Sequence, residues 1–475
     1  MSLPEGIQKV VDGGYCIGCG ACAALSPEKG IAMELSSQGV FLPIGLPSPL
    51  TNPPVEGQEK LLRICPFSDE TRNEDELAVD LFPNAPGKSP GVGRYIECFA
   101  GRVADEGVYQ ASSSGGLARW LLAELLSRDK VDYVINVVTR QTDEDPGPHY
   151  FYAVHESAEE VLNQSAKSAY YPVELSKVLA LIDKKPGRYA ITGVPCFIKA
   201  LRNIAAEFGH YRDRIKFTCG VICGHQKSTW YAEMIGWQLG VLPEELGGLD
   251  FRVKIPGARA NEKGVQAWMK DGKPGSGPKI VQELFGTTYA HGFFKNSACE
   301  FCDDVTAELA DVSFGDAWLP EYLTQGTSLV IVRNPEIHEI LMEGMASSAL
   351  ILRNIEAASA EEAQAGGLRD RREGLSYRLA ERKKQGIWVP RKRVPASTKG
   401  IPQARQKIYR TRSLLTKKSF EFFSIARVRM DWNLFEEGMR PFLRRYSQIH
   451  AGPLKSVWLR LRKLIEVVAR RLRSN

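Results

Sequence analysis

An α/β protein with a short cysteine-bearing module at its N-terminal end and a basic helical extension at its C-terminal end is what this sequence predicts. Three observations lead there. Between Tyr95 and about Pro335, β-type runs alternate with helical runs. Three closely spaced cysteines precede that region, and the charge changes sign near Arg369. At 475 residues the chain exceeds one ordinary core, so two or three folded units are expected. They are a cysteine module over 1–85, an α/β domain over 94–345 and a helical extension over 346–475.

The first boundary is the loop-rich stretch PNAPGKSPGVG, from Pro83 to Gly93. After it, YIECFAGRV, VDYVINVVT, RYAITGV and IKFTCGVIC read as strands, and GLARWLLAELL reads as a helix between the first two. Residues 251–295 differ in kind: FRVK, the Gly-rich DGKPGSGPK and paired aromatics suggest hairpins inserted into or flanking the main sheet. A Glu/Ala-rich helix around 355–366 leads into the basic tail, whose helices are expected to break at Pro390, Pro395, Pro402 and Pro441.

Composition narrows the function. Hydrophobic residues at 43% and charged residues at 25% are ordinary for a soluble globular protein. No apolar run approaches the roughly 18–20 residues of a membrane span. The opening MSLPEGIQKVVDGG lacks a basic segment followed by an apolar one, so a cytoplasmic location is expected. Ten cysteines in a reducing compartment argue for metal or redox chemistry over a disulfide framework. From Arg369 onward, 29 Lys and Arg stand against 8 Asp and Glu, about +21, which leaves about −15 on the first 368 residues. Basic residues without a recognisable recognition module speak against nucleic acid as a partner.

Cys16, Cys19 and Cys22 form C-x2-C-x2-C, and Cys65 follows far downstream, immediately before Pro66. Four thiolates are what a 4Fe-4S cluster needs, and Gly18 and Gly20 let the backbone turn close to the inorganic sulfides. Structural zinc also takes four cysteines, but zinc ribbons usually offer two separated C-x2-C pairs. The spacing therefore favours a cluster. A second group comprises Cys299 and Cys302, in ACEFCDD, with Cys196, Cys219 and Cys223 upstream. Any four of these five can complete a second cluster, and buried free cysteine is the alternative. Cys196 and Cys223 fall at strand ends, where side chains converge on a site, whereas Cys219 falls within its strand. The set Cys196, Cys223, Cys299 and Cys302 is therefore preferred, with Cys98 read as core.

Ser112, Ser113, Ser114, Gly115 and Gly116 precede the helical run LARWLLAELL. Small residues at a helix N-terminus turn free N–H groups and the positive end of the dipole toward an anion, so a cofactor diphosphate fits there. A serine-rich cap with no ligand is the plain alternative. Lys167, Ser168 and Tyr170 can add a cation, a hydroxyl and a stacking ring. Thr192 and Gly193 form another turn where backbone can approach a ligand, and Asp316 adds a carboxylate beside Trp318.

In this order, YCIGCGAC with ICP, then SSSGG, AKSAY, TGVPCFIKALR, VICGHQKS, FRVK and CEFCDDVTAELADVSFGDAW, the chain resembles the family of coenzyme F420 hydrogenase/dehydrogenase beta subunits, which includes 7-hydroxymethyl chlorophyll a reductase-like members. The resemblance spans roughly residues 10–335. It implies FAD in the α/β domain, near Ser113, Ser114, Gly115, Lys167, Ser168, Thr192 and Asp316, flanked by two 4Fe-4S clusters. A ferredoxin-like N-terminal module, with ferredoxin or another redox protein as partner, goes with that reading. A flavin exchanges a hydride with one partner and single electrons with clusters. The substrate is then a small organic molecule or coenzyme F420 itself, and His225, Lys254 and His291 are candidates for the proton donor or for substrate contact.

In the tail, Leu454, Val457, Trp458, Leu461, Leu464, Ile465 and Val468 recur at helical spacing with Lys and Arg opposite. Such a helix can lie on the inner face of a membrane or pack on the acidic body of its own chain. Two other function classes compete with the flavin enzyme: a non-catalytic electron-relay subunit, and a zinc-stabilised binding protein.

Overall fold

The structure is a computed structural model that describes residues 3–26, 30–46, 55–140, 149–255, 262–322 and 325–450. Its contacts divide the chain into two compact units: Met1–Leu284 with Lys295–Ala396, and Phe285–Phe294 with Ser397–Asn475.

The first unit is built on an eight-stranded mixed sheet. In chain order the strands are β1 (Glu97–Val103), β2 (Tyr133–Thr139), β3 (Tyr150–His155), β4 (Tyr189–Gly193), β5 (Ile215–Val221), β6 (Val312–Asp316), β7 (Ser328–Val332) and β8 (Leu350–Asn354). Across the sheet they run β8-β1-β7-β6-β5-β4-β2-β3. The centre, β2, β4, β5 and β6, is parallel. β3 pairs antiparallel with β2 at one edge, and β7, β1 and β8 extend the other side antiparallel. All four runs read as strands from the sequence are present, and the sheet adds β3, β6, β7 and β8.

Side chains alternate between two covered faces, as the period of two requires. Tyr189 and Ile191 of β4 enter one core with helices Ser176–Lys184 and Pro195–Glu207, whereas Ala190 enters the other with helices Leu117–Ser127 and Pro335–Ala346. Cys219 belongs to this second core and Cys98 to a third, both nearly sealed from solvent. Helix Leu117–Ser127 forms because Leu117, Leu121, Leu122 and Leu125 share one buried stripe, and Gly116, at φ 80°, supplies the left-handed residue that starts it. The hairpin expectation holds: Leu246–Val253, Gly264–Met269 and Lys279–Ile280 form a separate antiparallel sheet.

The N-terminal residues form helix Glu5–Asp12, the cysteine loop, helix Ala21–Ala24, the hairpin Ile31–Leu35/Phe41–Gly45 and helix Val55–Ile64, which ends at Cys65. They share one continuous core with helices Ser176–Lys184, Pro195–Glu207 and Leu375–Lys384. Residues 346–396, counted with the extension from sequence, belong to the first unit, where Leu350–Asn354 is an edge strand of the main sheet.

The second unit contains helix Gln403–Arg429 and a helix over 432–450, with Phe293, Phe294, Phe423 and Phe435 packed edge to face. Pro390, Pro395 and Pro402 lie outside helices, but Pro441 does not break one. Helix 432–450 runs through it, forgoing only the intrahelical bond that proline cannot donate, while buried Phe435, Met439 and Tyr446 hold the turns on either side. The apolar stripe from Leu454 to Val468 lies outside the described residues. Among the described residues no helix is long and apolar enough to cross a membrane.

Candidate functional site

Cys16, Cys19, Cys22 and Cys65 line one cavity together with Ile7, Val10, Tyr15, Ile17, Met33 and Phe67. The loop that carries the first three can close only with glycine at two positions. Gly18 and Gly20 have φ of 72° and 83°, and a Cβ on either would run into the carbonyl of Phe41 or the carboxylate of Glu174. Burial pushes the Cys16 thiol up to about 12, with Cys65 adding to it. Burial raises Cys19 and Cys22 as well, and each feels the other thiols of the group. Burial also raises Cys65, opposed by the cations of Lys392 and Lys199.

The second group gathers at the end of the sheet where the parallel strands finish. Cys196 opens helix Pro195–Glu207 directly after β4, and Cys223 follows β5 with its N–H on the Val305 carbonyl, 2.9 Å away. Cys299 and Cys302 lie on the turn Ser297–Phe301, capped by the Asn296 side chain. The Gln226 N–H donates to Cys299 Sγ at 3.2 Å. Burial raises Cys196 far above the usual thiol range, with Cys302, Cys299 and Cys223 adding to it. Burial likewise lifts Cys302 to about 11, against the pull of Arg371. Cys219 is raised by burial and then by Asp311 alone; it packs in the second core, whereas Cys196, Cys299 and Cys302 lie in or against the first.

Eight clustered thiols, those of Cys19 and Cys299 on buried residues and the other six on half-buried ones, resist ionising because each thiolate would lose water contact and would repel its neighbours. A polycationic group among them reverses that balance, since a coordinating thiol is deprotonated outright. Among the described residues no three His, Cys, Asp or Glu side chains close on a point that a single metal ion would occupy.

A polar site lies along the same edge. Asp316 ends β6 opposite Ser328, whose Oγ accepts from the Gly115 N–H at 3.0 Å, so the SSSGG turn is held beside that carboxylate. The Ser168 N–H donates to Ser113 Oγ at 2.6 Å, and Lys263 Nζ donates to the Ser113 carbonyl at 3.2 Å. Ser114 packs against Gly326. Arg252 donates to the Tyr170 hydroxyl at 2.5 Å and pairs with Asp316 at 3.6 Å, and Lys167 pairs with Asp250 at 2.9 Å. Lys254 donates to the Tyr109 carbonyl at 2.6 Å with its ammonium 3.9 Å from the centre of the Tyr109 ring. Burial, with Lys263 next, lowers Lys254 to about 8. Thr192 and Gly193 end β4 beside Cys196.

The structure thus brings Ser113, Gly115, Lys167, Ser168, Tyr170 and Asp316 together. It places His225 next to Cys223, half-buried, and His291 in the second unit, its ring 5.2 Å from that of Tyr446. Arg252, Lys263 and Asp250 were missed from sequence. FRVK was noticed, but a hairpin arginine shows its role only when its carboxylate partner, 64 residues on, arrives from another sheet.

Each site lies within electrostatic reach of the next. Cys19 is among the groups whose charge acts on Cys196, and Cys223 among those acting on Tyr170. Cys19, Cys196, Cys299 and Cys302 share one packed core.

Residues 98–180 match the N-terminal region of the coenzyme F420 hydrogenase/dehydrogenase beta subunit, and residues 187–358 match its C terminus. An uncharacterized protein of Methanocaldococcus jannaschii is 20% identical over 344 residues, 69% of this chain and 86% of that protein. A subunit of the F(420)H(2) dehydrogenase of Methanosarcina mazei is 24% identical over 328 residues, 67% of this chain and 80% of that protein. A chain from the F420-reducing [NiFe] hydrogenase complex of Methanosarcina barkeri aligns over 66% of this chain and all of its own length, at 18% identity and a TM-score of 0.48. Together the two matched regions cover more than half of the sequence, and the chain belongs to the family of coenzyme F420 hydrogenase/dehydrogenase beta subunits.

Proposed function

We propose that this chain is an iron–sulfur flavoprotein oxidoreductase. It passes electrons between two 4Fe-4S clusters, FAD and a small organic or F420-type substrate. The nearness of two cysteine quartets to each other and to a cationic turn carries this reading. Cys16, Cys19, Cys22 and Cys65 would hold one cluster, and Cys196, Cys223, Cys299 and Cys302 the other. Cysteines that line a cavity suit a multi-iron group better than zinc, whose four ligands must meet about 2.3 Å from one point.

The SSSGG turn offers Ser113, Ser114, Gly115 and Gly116 to a diphosphate, and Lys254 and Lys263 bring ammonium groups to it. Burial, and next the charge of Lys263, lower Lys254, and burial lowers Lys263; a bound anion would offset both, which favours a phosphate-bearing cofactor at this place. Tyr170 and Arg252 give a half-buried ring and a planar cation near Cys223, with Asp316 pairing with the guanidinium. Thr192 and Gly193 lie where a ring system would meet the end of β4. When bound, FAD exchanges two electrons with a substrate and single electrons with the clusters. The residues contribute position, exclusion of water and a proton. Lys254, near neutrality, is one proton donor, and His225, next to Cys223, is a second candidate.

A second reading, an electron-relay protein within a larger complex, is favoured by the name of one relative, a subunit of a dehydrogenase. Anaerobic purification with iron, sulfide and flavin assays tests both. Near eight irons and one FAD per chain are expected, and a colourless protein carrying zinc would overturn the proposal. Reduction of F420 or an organic acceptor by the isolated chain separates enzyme from relay.

A further inference from the structure

Arg371 is buried, 3% exposed, on the turn Asp370–Gly374 beyond the family match, which ends at residue 358. Its guanidinium donates to the carbonyls of Cys299 and Gly224, so it is inserted between the loops that carry Cys299 and Cys223. A guanidinium held out of water needs a counter-charge, because its desolvation costs several kcal/mol. Among the described residues Arg371 forms no ion pair with a carboxylate. The adjacent acid, Asp370, is bonded by Arg378 at 3.2 and 3.3 Å. The negative groups that act on Arg371 are the sulfurs of Cys302 and Cys299 first, then the carboxylate of Asp370, which Arg378 shares, and then Cys223.

Resting on the cluster reading above, we propose that Arg371 is the fixed counter-charge of the second cysteine site and raises the reduction potential of a cluster held there. Reduction adds one electron from a one-electron donor, breaks no bond, and makes the site one unit more negative. A guanidinium that keeps its proton stabilises that state more than the oxidised one. The backbone bonds hold the charge at the site, which makes Arg371 a positioning residue and not a ligand.

The test uses the full chain, purified anaerobically as wild type, Arg371→Gln and Arg371→Lys. Glutamine keeps a donor for the carbonyls without the charge, and lysine keeps the charge. Iron and sulfide are assayed first. Potentiometric titration with dithionite, followed by electron paramagnetic resonance, then gives the midpoints. A Cys65→Ala protein identifies which signal belongs to the second site. The expected result is full iron content, with the reduced fraction of the second site at a fixed potential falling about tenfold in Arg371→Gln, about 59 mV for one electron. The first site should move less, and Arg371→Lys should recover most of the change. Loss of the second cluster in Arg371→Gln with its retention in Arg371→Lys would also support the counter-charge role. Unchanged midpoints in Arg371→Gln, or equal effects of both substitutions, would overturn it. Wild-type protein without iron would instead refute the cluster reading on which it rests.

Discussion

Replacing Arg393 by alanine should destabilise the first unit by about 3 kcal/mol, at the lower end of the range for breaking a buried ion pair. The Arg393 side chain is 8% exposed and meets Glu308, which is 4% exposed, with a bond of 2.8 Å. It also reaches Asp75 at 3.2 Å and Asp303 at 3.8 Å. Without it, two buried carboxylates keep one cation each: Arg372 stays 3.2 Å from Glu308, and Lys392 stays 3.5 Å from Asp303. Those remaining partners place the cost at the low end. About 3 kcal/mol changes the folding equilibrium by roughly a hundredfold, at about 1.4 kcal/mol per factor of ten. Urea unfolding followed by tryptophan fluorescence and circular dichroism measures it. A double-mutant cycle with Glu308→Gln isolates the pair, and the double variant should be less destabilised than the sum of the singles. A loss below about 0.5 kcal/mol in Arg393→Ala, in the range of ordinary surface substitutions, would show that residues 370–396 do not hold the body together and would refute the reasoning.

Cys65→Ser should lower bound iron by about half, whereas Cys219→Ala should leave it unchanged; parallel iron and sulfide assays compare them. Gly20→Ala should cost more than the roughly 1–2 kcal/mol of a left-handed alanine, because its Cβ meets Glu174 and the Ser176 backbone, and should empty the first site. Lys254 is lowered to about 8 and binds an anion only when protonated, so flavin retention should weaken as pH rises through 8. Equilibrium dialysis against FAD across that range measures this, and Lys254→Arg, protonated throughout, should remove the pH dependence.

What the sequence displayed was local. Runs such as IKFTCGVIC and RYAITGV carry enough β-branched and apolar residues to declare central strands, and all four were legible. β3 and β8 were not, because edge strands such as FYAVH and LILRN mix polar residues into short runs and depend on a partner strand for their conformation. β7, SLVIV, is apolar throughout, yet its antiparallel direction follows from a short return after β6 that composition does not show. The C-x2-C-x2-C and C-x2-C spacings stand out in the sequence, whereas the core that Cys219 enters, apart from Cys196, Cys299 and Cys302, depends on the packing of both sheet faces. Arg252, Lys263 and Arg371 were invisible for the opposite reason. Each matters through a partner from 64 to 150 residues away, and nothing local marks an arginine or lysine as buried.

The bond from the Tyr15 hydroxyl to the Trp388 carbonyl, 2.6 Å across 373 residues of sequence, has a consequence for biogenesis. Arg382 reaches the Gly13 carbonyl, and Lys392 lies over the Phe67 ring, so the cysteine loop is roofed by a segment translated long after it. Contacts this distant in sequence form late. Until residue 393 leaves the ribosome, the CIGCGAC loop has no lid. That delay leaves the thiols of Cys16, Cys19 and Cys22 uncovered until residues 382–393 dock.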